Sequence, residues 1–177
     1  GGNEMKIELD KLDKNFKRES ILNLENLVYH YYLSDEFSIS GADHYSEKGK
    51  CLVRLPEDVL ERIKAEAGND GVYNLAHTQP GVRVRFKTDS PYIAIKSVSD
   101  TSAWGFFNFD VYERIGYTFK HIKNLSGLGN VTNFESYLCA GGGRVKEYEI
   151  QFPIETCVKD VYIGLKEGSV IEKPSDY

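Results

Sequence analysis

Hydrophobic and polar residues alternate most regularly over residues 81–95, where Val82, Val84 and Phe86 interleave with Arg83, Arg85 and Lys87. An extended chain repeats its side-chain direction every second residue, so this spacing predicts a half-buried strand with one apolar and one cationic face. Thr88, Asp89, Ser90 and Pro91 supply turn chemistry, and residues 92–98 resume with Ile93 and Ile95 on one side. The two runs together read as a hairpin.

The same pattern recurs along the chain. Residues 27–33, 36–40 and 51–53 read as strands, with 41–50 a polar loop between them. Pro56 suits the first position of a helix, Glu57 and Asp58 favour its positive end, and Val59, Leu60 and Ile63 share a face before Gly68 stops it. Residues 106–112 alternate again, with Phe107, Phe109 and Val111 opposite Asn108, Asp110 and Tyr112. Residues 117–122 return as their hairpin partner, followed by a glycine-bearing loop over 124–133. Strands are expected at 134–139, 144–152 and 160–165, the first two joined through Ala140 and three glycines. Residues 5–16 fit neither period and read as a short strand or a packing arm. Many short strands, one helix and no alternation of strand with helix predict a mainly β fold, an antiparallel jelly-roll-like sandwich over residues 1–165. Residues 166–177, with Gly168, Pro174 and Ser175, read as a linker.

At 177 residues the chain suits one domain with a substantial core, and 41% hydrophobic and 12% aromatic content exclude a disordered class. With 22 Lys and Arg against 27 Asp and Glu, the net charge is −5 and no dense basic patch exists, which excludes a nucleic-acid partner. Cys51, Cys139 and Cys157 are odd in number and widely spaced, so they read as free, small buried hydrophobes in a reducing compartment rather than as disulfides or metal ligands. No apolar run reaches the ~20 residues of a spanning helix. The expectation is a soluble, cytoplasmic protein with no membrane partner, although Gly1 and Gly2 are compatible with a removed leader.

Few residues invite chemistry. Arg83 and Arg85 on one strand face hold their planar forks roughly 7 Å apart, close enough to clamp a carboxylate or a pair of sugar hydroxyls. The other reading is a solvated face with cross-strand acids, for which Asp110 is a natural partner; Arg54 is the third arginine of interest. His77 precedes the central strand, where it either lines an interface or satisfies a loop carbonyl. His30, His44 and His121 show no paired spacing and no partner, so no metal or other cofactor is expected. Trp104 stands in a polar loop and is the best candidate for exposed apolar surface. With Phe106, Tyr112, Tyr31 and Tyr32 it makes either an aromatic platform or core. The run Ala140 to Arg144 lacks the ending of a phosphate loop and precedes a strand.

Arg54-Leu55-Pro56, His77-Thr78, the run from Gly81 to Ser90, and Phe109-Asp110-Val111-Tyr112 together resemble the N-terminal β-sandwich domain of bacterial SGNH (GDSL-type) hydrolases. That group's Gly-x-Asp-Leu-Tyr signature is matched imperfectly, with Asn108 or Phe107 at the glycine and Val111 at the leucine. The resemblance implies a non-catalytic accessory domain whose partner is its own C-terminal catalytic domain, an esterase acting on acylated carbohydrate. Asp89-Ser90 resembles a nucleophile block, but Thr88 and Pro91 flank it where a glycine and a helix opening are needed. No catalytic residue is therefore expected in this chain. The alternative is a self-standing carbohydrate-binding module that grips a glycan with Trp104 and the Arg83/Arg85 face.

Overall fold

A computed structural model of the chain describes residues 22–42, 44–46, 51–53, 55–67, 81–99, 106–128, 133–153 and 158–175. The alternating segments build two antiparallel sheets. One has four strands in the order β1 (Leu27–Tyr31), β11 (Val158–Lys166), β6 (Tyr92–Ser99) and β9 (Asn133–Cys139). The other runs β12 (Ile171–Glu172), β5 (Arg83–Thr88), β10 (Lys146–Gln151), β7 (Phe106–Ile115) and β8 (Thr118–Leu128), and β2 (Ser38–Ser40) shares the outer edge of β5 with β12. A small separate pair joins β3 (His44–Ser46) to β4 (Cys51–Val53).

The inward residues of both sheets meet in one core. Val84 and Phe86 of β5, Phe109 and Val111 of β7, and Tyr148 and Ile150 of β10 pack with Ile93, Ile95, Ile163 and Leu165 of the facing sheet. Each large side chain taken fully out of water contributes roughly 1.5–3 kcal/mol, which is why the alternation dictates the sandwich. Tyr31 and Tyr32 belong to this core rather than to an exposed platform: their rings lie 5.4 Å from Tyr162 and 5.7 Å from Phe152. The expected helix is α1 (Glu57–Ala67), with the Pro56 carbonyl accepting bonds from the amides of Val59 and Leu60 and with Leu60 buried.

The pair at 81–95 is not a hairpin. β5 pairs with β10 in one sheet while β6 pairs with β11 and β9 in the other, so residues 88–91 are a corner that carries the chain across the sandwich. The Ser90 amide donates to Thr88 Oγ1 at 3.1 Å, its hydroxyl donates to the Tyr92 carbonyl at 2.6 Å, and that hydroxyl accepts from the Lys166 amide at 3.0 Å. Turn residues reverse the chain but do not choose its partner, and both topologies put the same residues in the core. The other hairpin is present: β7 and β8 pair through a two-residue turn in which Gly116 has φ +62°, the first central position where a type II′ turn takes glycine.

Two expected loops contain strand. β8 continues to Leu128 because Leu125 reaches the core, and β3 lies inside the expected loop over 41–50. Cys139 is a free thiol but exposed, not buried. The segment expected as a linker carries β12, and the Val170 amide donates to Asp89 Oδ1 at 2.8 Å. Among the described residues no helix is long and apolar enough to cross a membrane. The segments 5–16 and 69–78, the Trp104 loop and Cys157 lie outside the described residues.

Candidate functional site

In the larger sheet the strands that give their apolar face to the core turn their polar face away from it. This places Arg83, Arg85 and Lys87 of β5 beside Glu147, Glu149 and Gln151 of β10, then Asp110, Tyr112 and Arg114 of β7, then Phe119 and His121 of β8. The register aligns Arg85, Glu149, Tyr112 and His121 in one row across four strands.

Glu149 anchors that face. It is only 3% exposed, and its carboxylate accepts from Arg85 Nε at 2.7 Å and Gln151 Nε2 at 3.0 Å, with Arg83 Nη1 3.9 Å away. A buried carboxylate persists as a charge only when paired and hydrogen-bonded, and these donors meet that demand. The Arg85 guanidinium also lies 4.7 Å from the centre of the Phe119 ring. One row away, Arg114 donates to Glu147 at 2.9 Å. On the far side, His121 Nε2 donates to Asp110 Oδ1 at 2.9 Å, and Asn124 donates to the same oxygen at 2.8 Å and to Asn108. The Tyr112 ring meets the His121 ring edge-on at 5.2 Å. The result is an imidazole oriented by a carboxylate and braced by a phenol; among the described residues no serine or threonine hydroxyl bonds it.

Of the candidate residues, Arg83, Arg85, Asp110 and Tyr112 share this face, while Arg54, His77 and Trp104 lie outside the described residues. Asp110 is not the partner of either arginine. β10 intervenes, two strand spacings amount to roughly 10 Å, and Glu149 occupies the nearer place. Arg85 therefore holds its own sheet, and its fork is not open as a clamp. His121, expected to be without a partner, has Asp110 and Tyr112. No local motif points to Glu149, Phe119 or Asn124; the alternation Glu147, Glu149, Gln151 around Tyr148 and Ile150 is the signal that marks β10 as having a polar face. Ser90 is 1% exposed, and its hydroxyl is spent on the corner.

The family model GxDLY, the N-terminus of SGNH-hydro-type esterases, matches residues 27–171. The chain belongs to this family. Asp110 and Tyr112, the residues that resemble the aspartate and tyrosine of the Gly-x-Asp-Leu-Tyr signature, both lie on the outward face, while Phe109 and Val111 beside them fill the core. The fold resembles a protein described as a GDSL-like lipase from Bacteroides ovatus, with TM-score 0.68 and 18% identity over 85% of this chain and 44% of that one. It also resembles the salicylyl-acyltransferase SsfX3 of a tetracycline biosynthetic pathway, with TM-score 0.66 and 16% identity over 85% of this chain and 42% of that one. This chain thus spans less than half the length of either. No curated protein sequence matches it.

Proposed function

We propose that this GxDLY domain is the non-catalytic N-terminal part of a two-domain SGNH hydrolase, an esterase acting on acylated carbohydrate, and that it packs beside the catalytic domain and shapes access to the ester. The observation that carries this reading is the family match over residues 27–171, the N-terminal part of such esterases. The face holding Asp110, Tyr112 and His121 supports it. An imidazole already fixed by Asp110 and an edge-on tyrosine form a rigid, polar wall against which a substrate can be oriented at little entropic cost.

The test compares residues 1–177 with the polypeptide of the whole reading frame on p-nitrophenyl acetate and on acetylated oligosaccharides. The shorter chain should release no product above buffer, with or without Ser90→Ala, and the longer one should turn over both. Turnover by residues 1–177 that survives Ser90→Ala would refute the reading. A saturable change in Trp104 fluorescence with deacylated glycans would instead favour the binding-module alternative.

A further inference from the structure

At one end of the sandwich the described surface changes character. Among the described residues five large hydrophobic side chains are exposed, and three of them sit here: Ile115 at 52%, Tyr117 at 95% and Val145 at 43%. Ile115 ends β7, Tyr117 is the second residue of the two-residue β7–β8 turn, and Val145 immediately precedes β10. A two-residue turn asks for glycine and small polar residues, so nothing in the local backbone calls for a tyrosine almost wholly in water beside an exposed isoleucine. Ile115 and Val145 border an open cavity of about 760 Å³ whose wall also includes Lys87, Arg114, Arg144 and Glu172.

The charges here are unevenly spent. Arg114 is paired with Glu147 at 2.9 Å and Lys146 lies 3.8 Å from Glu113, while Lys87, Arg144 and Glu172 enter no ion pair among the described residues, two cations against one acid. The chain itself leads to this place. β12 pairs with Lys87 and Thr88, and the Ser175 amide donates to Glu147 Oε1 at 2.6 Å, so Ser175 is part of the cavity wall. A polypeptide continuing past that point starts against the apolar tip, with the least loop to close.

We infer that this end, formed by Ile115, Tyr117, Val145, Lys87 and Arg144, is the surface that seats the domain following residue 175, and that the seated partner offers an apolar patch rimmed by acids. The inference rests on the two-domain reading above. An apolar centre with charges at its margin is the anatomy of a domain interface, and the two unspent cations select an acidic rim. Seating here leaves the neighbouring Asp110, Tyr112 and His121 face alongside the partner rather than beneath it.

Hydrogen–deuterium exchange on residues 1–177 and on the whole-frame polypeptide tests this. Amides of residues 113–118 and 143–147 should exchange at least tenfold more slowly in the longer protein. Tyr117→Asp, at a site exposed enough to leave folding intact, should speed proteolytic cleavage just after residue 175 about tenfold in the longer protein, whereas Tyr137→Asp on the other sheet should not. Protection confined to another face, an unchanged cleavage rate, or a concentration-dependent dimer of residues 1–177 that Tyr117→Asp abolishes would overturn the surface. Loss of the two-domain reading shows separately, as a whole-frame polypeptide without esterase activity.

Discussion

Replacing Gly164 by alanine sets two effects of opposite sign against each other. Glycine in a strand interior is destabilising by roughly 0.5–1 kcal/mol relative to alanine, so propensity alone makes Gly164→Ala stabilising. The surroundings say otherwise. A Cβ at this position of β11 would stand 2.7 Å from Leu27 Cδ1, 2.8 Å from Tyr29 Cε1 and 2.9 Å from Ala94 Cβ. Carbon atoms prefer about 3.5–4.0 Å, so each contact must open by somewhat under an ångström. Leu27 and Tyr29 can rotate, but Ala94 Cβ is fixed to its backbone, and Ala94 pairs directly with Gly164 across β6 and β11. Opposed Cβ atoms normally lie about 4.5–5.5 Å apart, so the central pair of the sheet has to spread. Tyr29 also spans the sheet to donate its hydroxyl to Glu135, and moving its ring off Gly164 strains that bond. Overpacking of this kind costs about 1–3 kcal/mol, which exceeds the propensity gain. The net expectation is a loss of about 1–2 kcal/mol, or a Tm lower by about 2–8 °C for a chain of this size. Urea unfolding of the wild type, Gly164→Ala, Tyr29→Ala and the double variant measures it; the double variant should be more stable than the sum of the two single losses. A Gly164→Ala protein as stable as the wild type would refute the close approach of β1 and β6 over Gly164.

Glu149→Ala leaves Arg85 and Arg83 without their shared carboxylate, and because both arginines are partly in water the cost should be about 2 kcal/mol by urea unfolding, less than additive with Arg85→Ala. Ser90→Ala strips the Tyr92 carbonyl and the Lys166 amide of a partner at the corner and should cost about 1–3 kcal/mol in thermal unfolding, with no effect on ester hydrolysis by the whole-frame polypeptide. Alkali should unfold the domain. Burial first, then the charges of Glu113 and Asp160, push Tyr148 and Tyr162 up from 10.0 to about 12, with Arg144 opposing at Tyr148. The unfolded chain releases these protons first, so stability is intact below about pH 10 and falls as pH rises toward 12. Phenolate absorbance followed alongside circular dichroism checks this, and titration of all tyrosines near their ordinary value without unfolding would contradict it.

What could be read from the chain divides along the range of the forces involved. The inward residues Val84, Phe86, Phe109 and Val111 and the helix after Pro56 announce themselves within a few residues, because period and capping are local. Pairing is not local. Nothing around Asp89 and Pro91 says that β5 seeks β10, some sixty residues on, instead of β6 next door. The same gap hid the site: Arg85 and Glu149 are separated by 64 positions, and Asp110 meets His121 only once the bulge after Val111 sets their register.

Register then ties the site to the core. In β10, Tyr148 and Ile150 point inward and Glu147, Glu149 and Gln151 outward. A slip of one residue against β5 would drive two carboxylates into the hydrocarbon and expose a tyrosine and an isoleucine, a cost no alternative pairing repays. The packing of Tyr148 against Phe86, rings 6.0 Å apart, therefore sets which acid meets Arg85. Through the next strand it also sets which aspartate and tyrosine stand beside His121. The polar face is thus a consequence of the apolar one, so a core substitution that shifts β10 should disturb Arg85, Tyr112 and His121 together even though it touches none of them.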